Sequence, residues 1–166
     1  LCLQGFHNMK LFSFFLILTI IFVIALISMN SGALRFFNTN PNLVLAFIVA
    51  IIALRVKNSI IVALLFLLLV FSFLFYPFWI MGYLLLCGVG FISFLAHSKL
   101  TGNSIGDALV LSLVGSLLFS LLLWFFSHSP INVYQTVLQM TYNSICGIIL
   151  VLFLKPLTKR WGISRS

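Results

Sequence analysis

Between Leu11 and Leu154 short polar breaks divide the chain into six apolar runs: Leu11–Met29, Asn42–Leu54, Ile60–Phe75, Phe78–Ala96, Ile105–Phe126 and Val133–Leu154. The runs are apolar on every side, which excludes the alternation of polar and apolar residues that barrel strands need. A segment in lipid must satisfy its own backbone hydrogen bonds, so each run is expected to be a helix. A water-soluble domain carries roughly a quarter charged residues. Here 6% of 166 residues are charged and 63% are hydrophobic. The expected fold is therefore all-α: a polytopic transmembrane helical bundle of about six spans, with the lipid bilayer as its solvent.

The cations agree with that count. With six spans, one side collects Lys10, Arg55, Lys57, Lys99, Lys155, Lys159, Arg160 and Arg165, and the other side holds Arg35 alone. By the positive-inside rule both termini and the loops at 55–58 and 97–104 are expected in the cytoplasm, in a multi-pass membrane protein. Merging the second and third runs would bury Arg55 and Lys57 in lipid, at about 2.5–3.5 kcal/mol each. The net charge of +8 does not point to nucleic acid, because the cations punctuate apolar runs and do not cluster on a polar domain. The second run is the weak span. Its thirteen residues make a helix of roughly 20 Å at 1.5 Å per residue, against a hydrocarbon core of about 30 Å. It is expected to recruit upstream residues, to thin the bilayer, or to lie buried among other helices.

At the start, "LCLQGFHN" precedes Met9 and reads as an N-terminal extension (residues 1–8) without a structural role. Residues 9–161 read as one transmembrane domain and 162–166 as a basic cytoplasmic tail. Leu11–Met29 competes with a secretory signal ending near Ser31-Gly32-Ala33. Its nineteen residues exceed the roughly 7–15 of a signal core, so a retained helix is expected.

The only carboxylate, Asp107, stands just inside the start of the fifth run, three residues after Ser104. Ser-x-x-Asp is the pattern of a capping box, so Ser104 and Asp107 are expected to cap this helix, with Lys99 nearby. A proton or cation role for Asp107 is the rival reading, but a relay needs further ionisable groups deep in the bundle. Along the same run Ser104, Ala108, Ser112, Ser116 and Ser120 recur every four residues, with Gly115 beside them. Such a ridge lets helices approach closely, and Ala46, Ala50 and Ala53 repeat it on the second run. Whether the ridge meets this chain or a partner is open. The last run has a polar line, Asn132, Gln135, Gln139 and Asn143, expected to face other helices or a cavity open to the outside. Interhelical hydrogen bonding is preferred there over a small-molecule pocket. Ser129-Pro130 is expected to cap that helix.

Nothing in the pattern points to chemistry. Cys87 and Cys146 lie deep in apolar runs, and Cys2 lies in the extension. No pair of cysteines has metal-ligand spacing. His97 and His128 fall at run ends, and His7 in the extension. "GNSIG" around Ser104 has the look of an intramembrane serine-protease site but lacks a histidine on a convincing partner helix. No catalytic residue, metal or cofactor is expected, and the chain is read as non-enzymatic.

From about Met9 to Trp161 the layout resembles the MreD family of bacterial rod-shape-determining membrane proteins. The resemblance rests on the size, the retained first span, Pro41-Asn42-Leu43 where the family often has Pro-Asp-Leu, the basic turn "ALRVKNS", and the ending "LFLKPLTKRW". The chain departs from the family in its third run, which lacks glycines and a terminal Asp, and in Asn42, which stands in place of the acid. The resemblance implies a non-enzymatic part of the cell-wall elongation machinery that binds a single-span MreC-like protein and helps position peptidoglycan synthases. The alternative is the substrate-binding component of an energy-coupling-factor vitamin transporter. Such proteins have a similar size and helix number, and often carry an Ala-x-x-x-Ala docking motif. Ala46 and Ala50 match that spacing, although on the second run and not the first.

Overall fold

The computed structural model describes residues 13, 16–25, 27, 39, 41–56, 58–75, 80–96, 99–127 and 132–161. These form an all-α bundle of six helices: α1 (Leu16–Ala25), α2 (Leu43–Ala53), α3 (Asn58–Phe75), α4 (Ile80–Ala96), α5 (Ser104–Ser127) and α6 (Val133–Trp161). The extension 1–8, the outer parts of the first run, Arg35, Lys57, His97, His128, Ser129-Pro130 and the tail 162–166 fall outside the described residues.

α2 is the centre of the bundle. It has 11 residues, about 17 Å of helix, and is in contact with α3, α4, α5 and α6. Every residue from Val44 to Ala53 is buried, and α1 reaches the core through Phe22, whose ring lies 5.9 Å from that of Phe47. Burial among the other helices, one of the outcomes expected for the short second run, is what the fold shows, while the upstream residues Leu34, Phe36 and Phe37 lie outside the described residues. The helix starts where Asn42 caps it: the Asn42 Oδ1 accepts from the Leu45 amide at 3.0 Å, and its carbonyl accepts from the Ala46 amide at 3.0 Å. It stops at Arg55, whose φ of +51° turns the chain out of the helix. That conformation is common for glycine and uncommon for other residues.

α5 and α6 are of another kind. Their segments Ser104–Phe126 and Val133–Arg160 are long and apolar enough to cross a membrane, with mean hydropathies of 2.4 and 1.9 over an 18-residue window. Only 28% of each such window is buried. α6 extends beyond the expected end at Leu154 to Trp161, passing through Pro156. Pro156 has no N–H to return to the Leu152 carbonyl, and its exposed position spares it a clash with the core. α3 likewise begins at Asn58, two residues before the expected Ile60, leaving only a tight turn after α2.

Candidate functional site

Three buried polar residues meet where α2, α5 and α6 cross. The Asn143 Oδ1 accepts a hydrogen bond from the Asn42 backbone N–H at 2.7 Å, and the Asn143 Nδ2 donates to the Ser116 Oγ at 2.8 Å. One amide side chain therefore ties the first turn of α2 to the middle of α5. All three residues are buried. One turn further along, α5 and α6 come closer still: a Cβ placed on Gly147 would stand 2.8 Å from the Ser112 Oγ and 3.9 Å from the Ala46 carbonyl oxygen. A side chain at 147 would force the Ser112 hydroxyl out of its place.

These two contacts define a register. Each step of four forward along α5, from Ser112 to Ser116, matches a step of four backward along α6, from Gly147 to Asn143. The ridge of small residues on α5 thus runs antiparallel to a four-spaced line on α6. Ala108, Ser112 and Ser116 are fully or almost fully covered, Gly115 is buried against Val89 of α4 and Leu45 of α2, and Ser104 is buried, while Ser120 is half-buried. Ala46, Ala50 and Ala53 are buried in the same core. The ridge meets helices of this chain.

The polar line of the last run is not one face. Asn143 is fully covered, Gln139 is half-buried, and Gln135 and Asn132 are exposed. Gln135, two steps of four before Asn143, is turned by about 80° around a helix of 3.6 residues per turn, whereas Asn132 comes back to within about 20° of Asn143 and is exposed at the position that precedes the first residue of α6. Asn132 has a local role: its Oδ1 accepts from the Gln135 amide at 3.2 Å and its carbonyl from the Thr136 amide at 2.9 Å. Asn132 caps α6 where it begins at Val133, and the expected cap Ser129-Pro130 lies outside the described residues.

The expected capping box at α5 also takes a different form. Asn103 is the cap, accepting from the Ile105 amide at 3.3 Å through its Oδ1 and from the Asp107 amide at 2.8 Å through its carbonyl. Ser104 is the first helical residue, and its buried Oγ has no hydrogen-bond partner. Asp107 does not reach back to the Ser104 amide. Its Oδ1 accepts from the Thr101 N–H at 3.1 Å and the Thr101 hydroxyl at 2.8 Å, and its Oδ2 accepts from the Gly102 N–H at 3.1 Å. The carboxylate holds the loop between α4 and α5 closed over the start of α5. Gly102, with φ of +84°, allows that turn, and the Arg55 guanidinium lies against it. The Arg55 Nη2 donates to the Leu100 carbonyl at 3.2 Å. The end of α2 and the α4–α5 loop are thereby one piece.

An apolar crevice between α1, α2 and α3 is lined by Phe22, Phe47, Ile51, Ile61 and Leu64, with a cavity volume of about 10 Å³. That is room for about one water molecule, and no polar side chain of α6 lines it. Among the described residues no group of three or more His, Cys, Asp or Glu could hold a metal.

The sequence alone missed Gly147 as a contact residue and Asn42 as the partner of Asn143. The signal for the first was present, since Gly147 continues the four-spaced line beyond Asn143. For the second there was none, because a long-range bond to a backbone N–H leaves no mark in spacing. No protein-family model, curated protein or solved structure matches the chain.

Proposed function

We propose that the chain is a multi-pass protein of the bacterial inner membrane, of the MreD type, and that it works without catalysis as a scaffold for membrane partners in cell-wall elongation. The observation that carries this reading is the short second helix, held wholly inside the bundle by the Asn42–Asn143–Ser116 bonds. It is opened by Pro41-Asn42-Leu43, a landmark of the resemblance, so the residues that suggest the family are also those on which this packing depends. Membrane placement draws support from α5 and α6. A core helix of a soluble protein is mostly covered, whereas these leave apolar residues such as Val114, Phe125, Ile149 and Phe153 at least half exposed. In the bilayer that exposure has no cost; in water it would be an aggregation surface.

The vitamin-transporter alternative requires Ala46 and Ala50 to be open to a transport subunit, and both are fully covered by the chain's own helices. It therefore ranks below the scaffold reading. Affinity purification from native membranes in mild detergent tests both. Recovery of a single-span MreC-like protein with wall-synthesis enzymes, and loss of rod shape on depletion, is the expected result. A tightly held vitamin with an ATP-driven transport subunit selects the alternative. Neither protein partner nor shape defect removes the proposal.

A further inference from the structure

One end of the bundle gathers cations without giving them a protein counter-charge. The Arg55 bond to the Leu100 carbonyl brings the end of α2 to the α4–α5 loop, which carries Lys99. The antiparallel register of α5 and α6 returns the last turns of α6, with Lys155, Lys159 and Arg160, to the end where α5 begins. Against these five cations the chain has a single acidic side chain. Asp107 is buried, and both its oxygens are taken by Thr101 and Gly102.

Two of these residues are packed against the bundle along part of their length. Arg55 and Lys155 are each partly buried, and Arg55 uses one hydrogen bond to Leu100 out of the five donors a guanidinium offers. Lys159 and Arg160 lie in the last turn of α6, where the carbonyl end of the helix favours positive charge. Lys155 lies a turn earlier and has no such explanation. Immediately beyond these residues α6 becomes an apolar, largely exposed surface at Ile149, Leu152 and Phe153. Cations that border an exposed apolar face match one molecule in both parts: a phosphate with acyl chains attached.

We infer that the end of the bundle formed by Arg55, Lys99, Lys155, Lys159 and Arg160 binds the phosphate of an anionic phospholipid, whose acyl chains lie along the outer face of α6. This rests on the membrane reading above. The shared chemistry is a phosphate monoanion, and the lipid is the source chosen because the apolar face adjoins the charges.

The test reconstitutes the full chain in phosphatidylcholine vesicles and compares spin-labelled phosphatidylglycerol with spin-labelled phosphatidylcholine at the protein surface. A preference for phosphatidylglycerol of up to about fivefold per engaged cation is expected. It should fall by up to about fivefold for each lysine removed in Lys155→Gln/Lys159→Gln and return in Lys155→Arg/Lys159→Arg, neither of which touches the Arg55–Leu100 bond. A role for these lysines in topology alone predicts equal association of both lipids in every variant, and that result overturns the inference. Loss of the preference on adding inorganic phosphate at constant ionic strength also overturns it, by making the site one for free phosphate. A chain that fails to float with the vesicles refutes the membrane reading itself; one that floats but shows no lipid preference refutes only this inference.

Discussion

From Val44 to Ala53 every side chain of α2 is buried, whereas α6 leaves Val133, Ile149, Leu152 and Phe153 more than half exposed. Both helices look suitable for lipid when judged by hydropathy. What separates them is where small and amide side chains sit. α2 has alanines at 46, 50 and 53 and is capped by an asparagine whose N–H is bound by α6. The packed side of α6 carries Asn143, Gly147 and Val151, and its outer side carries branched and aromatic residues. In the proposed bilayer setting there is no hydrophobic drive to sort one apolar face from another, which leaves close packing and hydrogen bonds to do the sorting. The contrast can be attacked from either side, by spoiling the contacts that enclose α2 or by altering the face of α6 that has none.

The largest effect is expected from Ser112→Leu/Ser116→Leu. Overpacking costs about 1–3 kcal/mol per site in an ordinary core, and here the Ser112 Oγ already stands 2.8 Å from where a Gly147 Cβ would be. A loss of about 3 kcal/mol or more should appear as aggregation or a collapsed yield in gentle detergent. A well-folded double variant would mean that the ridge does not face α6.

Asn143→Leu comes next. It strips the Asn42 N–H and the Ser116 hydroxyl of their partner, at about 1–3 kcal/mol for each buried group left unsatisfied. Asn42→Ala keeps the backbone N–H that Asn143 binds and loses only the cap on Leu45, about 1 kcal/mol. Unfolding of both variants in mixed micelles should therefore rank Asn143→Leu well below Asn42→Ala. Equal losses would indicate that the α2–α6 bond contributes little.

Asp107→Ala acts at the start of α5, away from that crossing. It removes three hydrogen bonds from the α4–α5 loop, and bonds to a charged group contribute about 1.5–3 kcal/mol. The expected change is local. Amides of Thr101 and Gly102 should exchange faster while those of α2 stay protected, which hydrogen exchange by mass spectrometry resolves.

The helical class and six of the helix positions were legible because apolar runs and polar breaks are local features. The small-residue ridge was legible for the same reason: spacing of four defines a face. What spacing does not contain is which face meets which. Asn132, Gln135, Gln139 and Asn143 look equivalent in sequence, yet only Asn143 is fully covered, because its depth along α6 coincides with Ser116 and the start of α2. The role of Asp107 was hidden differently. A capping box is a local prior for Ser-x-x-Asp, but Asn103 supplied the cap and left the carboxylate free to bind the loop before it. The short second run posed a choice among three outcomes, and only tertiary contacts decide it.

The smallest effect examines the bare side of α6 through two leucines two residues apart. Leu154 is fully covered and Leu152 is 55% exposed. Leu154→Ala should cost about 2–5 kcal/mol, as truncation in a packed interior does. Leu152→Ala should change stability by less than about 0.5 kcal/mol, because a lipid-facing side chain keeps the same surroundings whether or not the helices are assembled. Both are measured by reversible unfolding in the same mixed micelle. If Leu152→Ala costs as much as Leu154→Ala, some protein surface covers that face during the measurement, and a second copy of the chain is the first one to look for. The same substitution repeated at Ile149 and Phe153, also exposed, would then trace the extent of the covered strip, since lipid-facing positions remain near zero while contacted ones do not.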